Sequence, residues 1–150
     1  MTYEQAQALV AERISDAQVA TGEPLVVSVA PGQWPVLARL AKDELGCTFF
    51  SFLTAVDWKE EGLEVVARVD NLGAGVSVVM KARLGAGVSS CPSIVSVYRG
   101  ADWMERECFD MFGIRFDGHG DLRRILLSDD WEGHPLLKSY AVDTPHPPYR

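Results

Sequence analysis

The sequence predicts an α+β domain: a mainly antiparallel sheet with helices packed on it, followed by an extended C-terminal arm. Three observations carry this reading. Helical periodicity comes first, three runs of strand character follow one another in the middle, and a further helix precedes a final stretch that is proline-rich and aperiodic.

TYEQAQALVAERI opens the chain as an amphipathic helix, with Thr2 as cap, Gln5 as its capping-box partner, and Ala6, Leu9, Val10 and Ile14 on one face. GEP breaks the chain before a short strand, LVVSVA. After the turn APGQWP, VLARLAKDELG forms a second helix that buries Leu37, Leu40, Ala41 and Leu45 and stops at Gly46. TFFSFLTAVDW, LEVVARVDN and VSVVMKARL read as strands, joined by EEG and LGAG, which are short enough for antiparallel hairpins. A flexible LGAGVSSCPS leads to IVSVY, a short edge strand or an extended connector. ADWMERECFDMFG is a third helix, capped by Asp102 and ended by Gly113. The expected organisation is one domain over residues 1–140 and an arm over 141–150, where Pro145, Pro147 and Pro148 deny ladder hydrogen bonds.

Composition removes several function classes. A chain of 150 residues, 47% hydrophobic and 23% charged, is long enough for one sizeable core. A net charge of −7 without a basic stripe argues against a nucleic-acid partner. The longest apolar run, FFSFLTAV, falls far short of the ~20 residues that cross a bilayer, and MTYEQAQALV lacks the features of a secretory signal. Cys47, Cys91 and Cys108 are isolated, fit no metal-ligand spacing, and read as small buried hydrophobes in a reducing compartment.

Candidate chemistry concentrates after Asp102. On the third helix Glu105 and Glu107 point to different sides, Glu107 and Asp110 share one, and Arg106 can pair with Asp110 four residues on. His119, His134 and His146 lie in loop-like sequence outside any metal spacing, and His119, between Gly118 and Gly120, suits a tight turn. Each GAGV lacks the third glycine and the lysine-bearing helix of a phosphate loop and reads as a hairpin turn. IRF, DLRRILL and PLL fit no period. Irregular backbone needs partners for its polar groups, which a second protein could supply, so this segment reads as an interaction surface.

E-R-E-C-F-D-M-F-G-I-R-F-D-G-H followed by D-L-R-R-I-L-L closely resembles the signature of the C subunit (the 30 kDa subunit family) of respiratory complex I, the proton-translocating NADH:quinone oxidoreductase. The match is dense from Ser93 to Tyr140. The resemblance implies a polypeptide without redox cofactors of its own, with the iron–sulfur clusters, FMN and quinone held by partner subunits. It further implies packing on the quinone-site D subunit, which is related to hydrogenase large subunits, near the B subunit and at the cytoplasmic side of the membrane. Glu105, Arg106, Glu107, Asp110, Gly113, Gly118, His119, Asp121, Leu122, Arg123 and Arg124 match motif positions and carry over as structural and interface residues. Gly120 departs from the family's proline, and Leu137 and Ser139 stand where the family usually has an arginine and an acid. An equivalent component of a related membrane-bound hydrogenase, or of a deazaflavin- or ferredoxin-dependent dehydrogenase, is the alternative within this superfamily. A free-standing enzyme using Glu107, Asp110 or Cys108 is the alternative of another class.

Overall fold

The computed structural model describes residues 1–143. Helix α1 (Tyr3–Arg13) begins with the expected capping box: Thr2 Oγ1 accepts the Gln5 N–H, and Gln5 Oε1 accepts the Thr2 N–H. Strands β1 (Gln18–Ala20) and β2 (Leu25–Val29) follow, then helix α2 (Trp34–Asp43). The three central strand runs become β3 (Phe49–Asp57), β4 (Leu63–Asn71) and β5 (Val76–Gly85). Beyond them come β6 (Ser90–Pro92), helix α3 (Ala101–Phe112) and β7 (Arg115–Asp117).

The principal sheet runs β1-β2-β5-β4-β3. Its β1–β2, β5–β4 and β4–β3 pairings are antiparallel, whereas β2 lies parallel to β5, with Leu25 opposite Val78 and Val29 opposite Ala82. That parallel pair is possible because α2 and the β3–β4 hairpin intervene in sequence, giving the length a crossover needs. Alternation then separates the two faces. Leu25 and Val27, Leu53, Val65, Ala67 and Val69, and Val78 and Met80 enter one core with Ala6 and Val10 of α1, Leu37 and Ala41 of α2, and Cys108 and Phe112 of α3. Thr54, Arg68, Val79 and Arg83 lie on the opposite face, half-buried or exposed.

Three local expectations are corrected. IVSVY is neither strand nor extended connector but a turn, in which the Val97 and Tyr98 N–H groups both reach Ile94 O. The strand lies just before it, inside the stretch read as flexible, because Ser90–Pro92 pairs in parallel with Arg115–Asp117. The second GAGV is therefore no hairpin; it carries the chain from the large sheet to the small one. Asp102 does not cap α3 either. Gly100 holds that position without a side-chain cap, and Asp102 lies in the first helical turn, where a negative charge still suits the helix dipole.

Helix α3 lies against the outer strand β3. Met104 Sδ accepts the Leu53 N–H at 3.0 Å, and Gly100 packs against the Phe50 ring. A helix thus covers backbone donors that an open sheet edge would leave free. The expected arm falls mostly on residues 144–150, outside the described residues.

Candidate docking site around the third helix

Helix α3 carries more buried charge than any other element. Glu105 and Asp110 are fully buried and Arg106 nearly so. Ionisable groups at such depth need partners, and here the partners are mostly backbone.

Asp110 is the centre. Its Oδ2 accepts the N–H groups of Ile125, Leu126 and Leu127 at 3.1, 2.8 and 2.9 Å, while Oδ1 accepts Arg124 Nη1 at 2.7 Å. Burial alone would raise this carboxyl, but the Arg124 guanidinium and the three N–H groups together hold it below the usual carboxylate range. Arg124 also donates to the carbonyls of Trp131 and Gly133, tying two turns of irregular chain to one point. One helix turn earlier, Arg106 donates to the Arg123 and Arg124 carbonyls at 3.2 and 3.0 Å and lies over the Trp103 ring. The loop 123–127 is therefore held from both its N–H and its C=O sides.

Glu105 works on the other flank. Its two oxygens accept the Ile94 N–H at 2.8 Å and the Ser93 hydroxyl at 2.7 Å, fixing the connector before α3. Burial pushes its carboxyl above the usual range, opposed by those two donors and by nearby His119. The His119 ring is 2% exposed. Its Nδ1 accepts the Asp121 N–H and its Nε2 lies 2.8 Å from the Asp102 carboxylate, so the neutral ring carries its proton on Nε2. Gly118 makes the tight turn before it, at φ +90°. His134 has the opposite tautomer: Nδ1 faces the Asp110 carbonyl at 2.9 Å, which can only accept.

Gly113 ends α3 in the left-handed region at φ +74°, and a Cβ there would stand 2.8 Å from the His134 ring. This glycine permits both the helix stop and the return of the chain across the helix end, where the Leu136 N–H donates to Met111 O.

Most of the residues singled out by sequence meet here, though not in the expected pairs. Arg106 does not pair with Asp110, since both Asp110 oxygens are taken by the loop and Arg106 reaches carbonyls instead. Glu107 and Asp110 do not share a side in practice: Glu107 is exposed, and the core boundary passes between them. Leu122 is half-buried against the core. Asp121 and Arg123 pair with each other at the surface, their side chains 64% and 65% exposed. The N–H groups of Ile125, Leu126 and Leu127 and the carbonyls of Arg123 and Arg124 find their hydrogen-bond partners on α3 itself. What faces outward is Arg123, Trp103 (63% exposed) and Leu126 (58% exposed).

Sequence reasoning missed Asp57, whose carboxylate accepts the Lys59 and Lys138 N–H groups, both at 2.8 Å. It also missed His134 and Ser93 as ligands of α3. Apart from the local Asp57–Lys59 turn, these contacts leave no spacing signal, because each joins a side chain to distant backbone or to a hydroxyl. The cysteines are buried and free. Burial pushes Cys47 up to about 11 and Cys91 up to about 12, and raises Cys108 likewise, so none is an activated thiol. Among the described residues no group of three or more His, Cys, Asp or Glu is placed to hold a metal ion, and no helix is long and apolar enough to cross a membrane.

Comparison with known proteins gives a consistent family. The family model for the respiratory-chain NADH dehydrogenase 30 kDa subunit matches residues 27–146. The chain is 44% identical over 133 residues to the C subunit of NADH-quinone oxidoreductase from Rhodobacter capsulatus, spanning 86% of this chain and 66% of that protein. It is 39% identical over 155 residues to the C subunit from Chlorobium phaeobacteroides, with 95% and 93% coverage. It is also 35% identical to the C/D subunit from Rhodopseudomonas palustris, covering 93% of this chain but 28% of that longer protein. Among solved structures, a trypsin-resistant fragment of Nqo5 superposes with a TM-score of 0.66 at 22% identity, covering 79% of this chain and 95% of the fragment. A polypeptide of the membrane-bound sulfane sulfur reductase, an archaeal respiratory membrane complex, gives 0.78 at 25% identity, with 93% and 85% coverage.

Proposed function

The chain belongs to the respiratory-chain NADH dehydrogenase 30 kDa subunit family, and from that premise we propose that it is a non-redox structural component of the peripheral arm of NADH:quinone oxidoreductase. In this reading it packs on the quinone-site D subunit, close to the B subunit, on the cytoplasmic side of the membrane. The partner subunits hold the FMN, iron–sulfur clusters and quinone that carry electrons from NADH, coupled to proton translocation. This chain contributes shape and rigidity. The observation that carries the reading is the lock around Asp110, Arg106 and Arg124, which engages the charge buried on α3 with the backbone of the 123–127 loop and holds that loop in place. A loop fixed this firmly loses little freedom when Trp103, Arg123 and Leu126 meet a partner, and tryptophan and arginine are favoured anchors at protein interfaces. Relatives that carry a combined C/D name favour the D subunit as that partner.

Copurification tests this directly. A tagged chain should bring down the B and D subunits from solubilised membranes, and recovery without them would overturn the assignment. Arg123→Ala should lower that recovery while leaving the isolated chain folded, because its side chain is 65% exposed and pairs with the equally exposed Asp121.

One observation favours a second reading. The likeness to a polypeptide of the sulfane sulfur reductase complex fits an equivalent scaffold in a related membrane complex with a different donor or acceptor. Purified complex that reduces quinone with NADH, and not with reduced ferredoxin or deazaflavin, decides for the first.

A further inference from the structure

Gly118, at φ +90°, turns the chain out of β7, and the His119 ring comes to rest against the first turn of α3, 2% exposed. The ring is held at both nitrogens. Nε2 lies 2.8 Å from Asp102 Oδ1 and 3.2 Å from the Asp102 carbonyl, while Nδ1 accepts the Asp121 N–H at 3.0 Å. The His119 N–H closes the turn by donating to Phe116 O.

A side-chain acceptor that takes the N–H two residues on is the arrangement of an Asx turn, for which asparagine and aspartate are the usual residues. Here a ring nitrogen takes that place, and the difference is chemical. An amide carbonyl keeps its lone pairs at every pH near neutrality. Imidazole does not, because in its charged form both nitrogens are donors. A backbone N–H can only donate, so the Asp121 bond exists only while Nδ1 is unprotonated. A second proton would set two N–H groups against each other at Nδ1. At Nε2 nothing is lost, since that nitrogen donates to Asp102 in either form.

We propose that His119 is a pH-sensitive latch on the 118–121 turn: proton uptake at Nδ1 releases the Asp121 N–H, and the turn opens while the ring stays seated on Asp102. The groups that face the ring are Asp102 and Glu105 from α3 and Asp121 from the turn itself, with Arg106 the basic group near Asp121. Those acids supply the counter-charge that a buried imidazolium needs. The released residue carries the exposed Asp121–Arg123 pair, so opening also loosens the position from which Arg123 projects. Residues 123–127 stay held, because Arg106 and Asp110 both keep their charge near neutrality.

Nitrogen NMR of the full chain reads the ring directly. At about pH 8 His119 should show the Nε2–H tautomer, and by about pH 5 both nitrogens should be protonated. Over that range the protection of the Asp121 amide, taken relative to an unfolded peptide at each pH, should fall about tenfold, the effect of one lost hydrogen bond. The Leu136 amide should keep its protection, because His134 donates from Nδ1 to the Asp110 carbonyl and retains that bond when charged. His119→Asn supplies a carbonyl oxygen to the same N–H and does not titrate, so Asp121 should stay protected at both ends of the range. Glu105 is still present in that variant, and a fall that persists would trace to Glu105 and overturn the proposal. So would a ring that takes its second proton with Asp121 still protected, a ring that stays neutral down to about pH 5, or a loss shared equally by Asp121 and Leu136. The readouts on the unaltered chain decide the matter by themselves if His119→Asn fails to fold.

Discussion

Asp110 and Arg124 meet at 2.7 Å with their side chains 0% and 15% exposed, and around them the carboxylate takes three consecutive backbone N–H groups while the guanidinium reaches three carbonyls, that of Asp110 itself among them. Neither residue is replaceable by half. Asp110→Asn keeps one carbonyl oxygen but leaves the Arg124 cation buried beside an amide, and removing one partner of a buried pair costs ~3–5 kcal/mol. Chemical denaturation should therefore show a large loss of stability for Asp110→Asn and Arg124→Ala. Arg123→Ala, one position away and solvent-exposed, should leave stability nearly unchanged. Equal losses for Arg123→Ala and Arg124→Ala would contradict the geometry.

The same carboxyl sets an acid limit. Its pKa in the fold lies below its value in the unfolded chain, so its contribution is complete above the unfolded value of ~3.9 and is lost as pH falls through that value toward the folded one. Asp57 shifts in the same direction. The stability gap between the unaltered chain and Asp110→Asn should close as pH drops below ~4, because only the former has this proton to take up. Urea midpoints across that range measure it; a gap that widens on acidification would show that the carboxyl is not held ionised.

Glu105 should behave oppositely. Its folded pKa is raised by burial, so its contribution is complete below the unfolded value of ~4.3 and is lost as pH rises through the folded one. Glutamine can still accept the Ile94 N–H and can donate to the Ser93 oxygen, with no charge to bury. Glu105→Gln should therefore gain on the unaltered chain as the pH rises above the unfolded value of ~4.3. Paired thermal melts below and above that value suffice, and a relative loss on raising the pH would refute the account.

These effects mark where the sequence could be read and where it could not. The capping box at Thr2 and Gln5, the burial of Leu37 and Leu40, and the β3–β4–β5 meander follow from periodicity that side chains impose on regular backbone. Strand β1 is three residues long and strand β6 contains Pro92, so neither holds enough alternation to register. The site was half legible. Charged positions on α3 stood out, and the resemblance carried by the motif named them, but their partners are N–H and C=O groups of aperiodic chain. Backbone has no residue identity to read. For that reason Arg106 and Asp110, four apart, invited a pairing that the loop 123–127 pre-empts.

Gly113 tests whether the helix end and the returning chain form one unit. Placing a non-glycine residue at its φ of +74° costs roughly 1–2 kcal/mol in backbone strain alone. Gly118, at φ +90° with open space around its Cα, carries only that kind of cost. Gly113→Ala adds a Cβ at 2.8 Å from His134 Cδ2, so the ring must move and its bond to the Asp110 carbonyl must lengthen or break. Gly113→Ala should thus be more destabilising than Gly118→Ala, and the excess should shrink when His134→Ala is already present, since the clash is then gone. Exchange at the Leu136 amide should rise in Gly113→Ala and not in Gly118→Ala, because Leu136 bonds Met111 O just beyond the displaced ring. Equal effects of the two alanines, with Leu136 protected in both, would mean that the chain crosses the helix end without leaning on it.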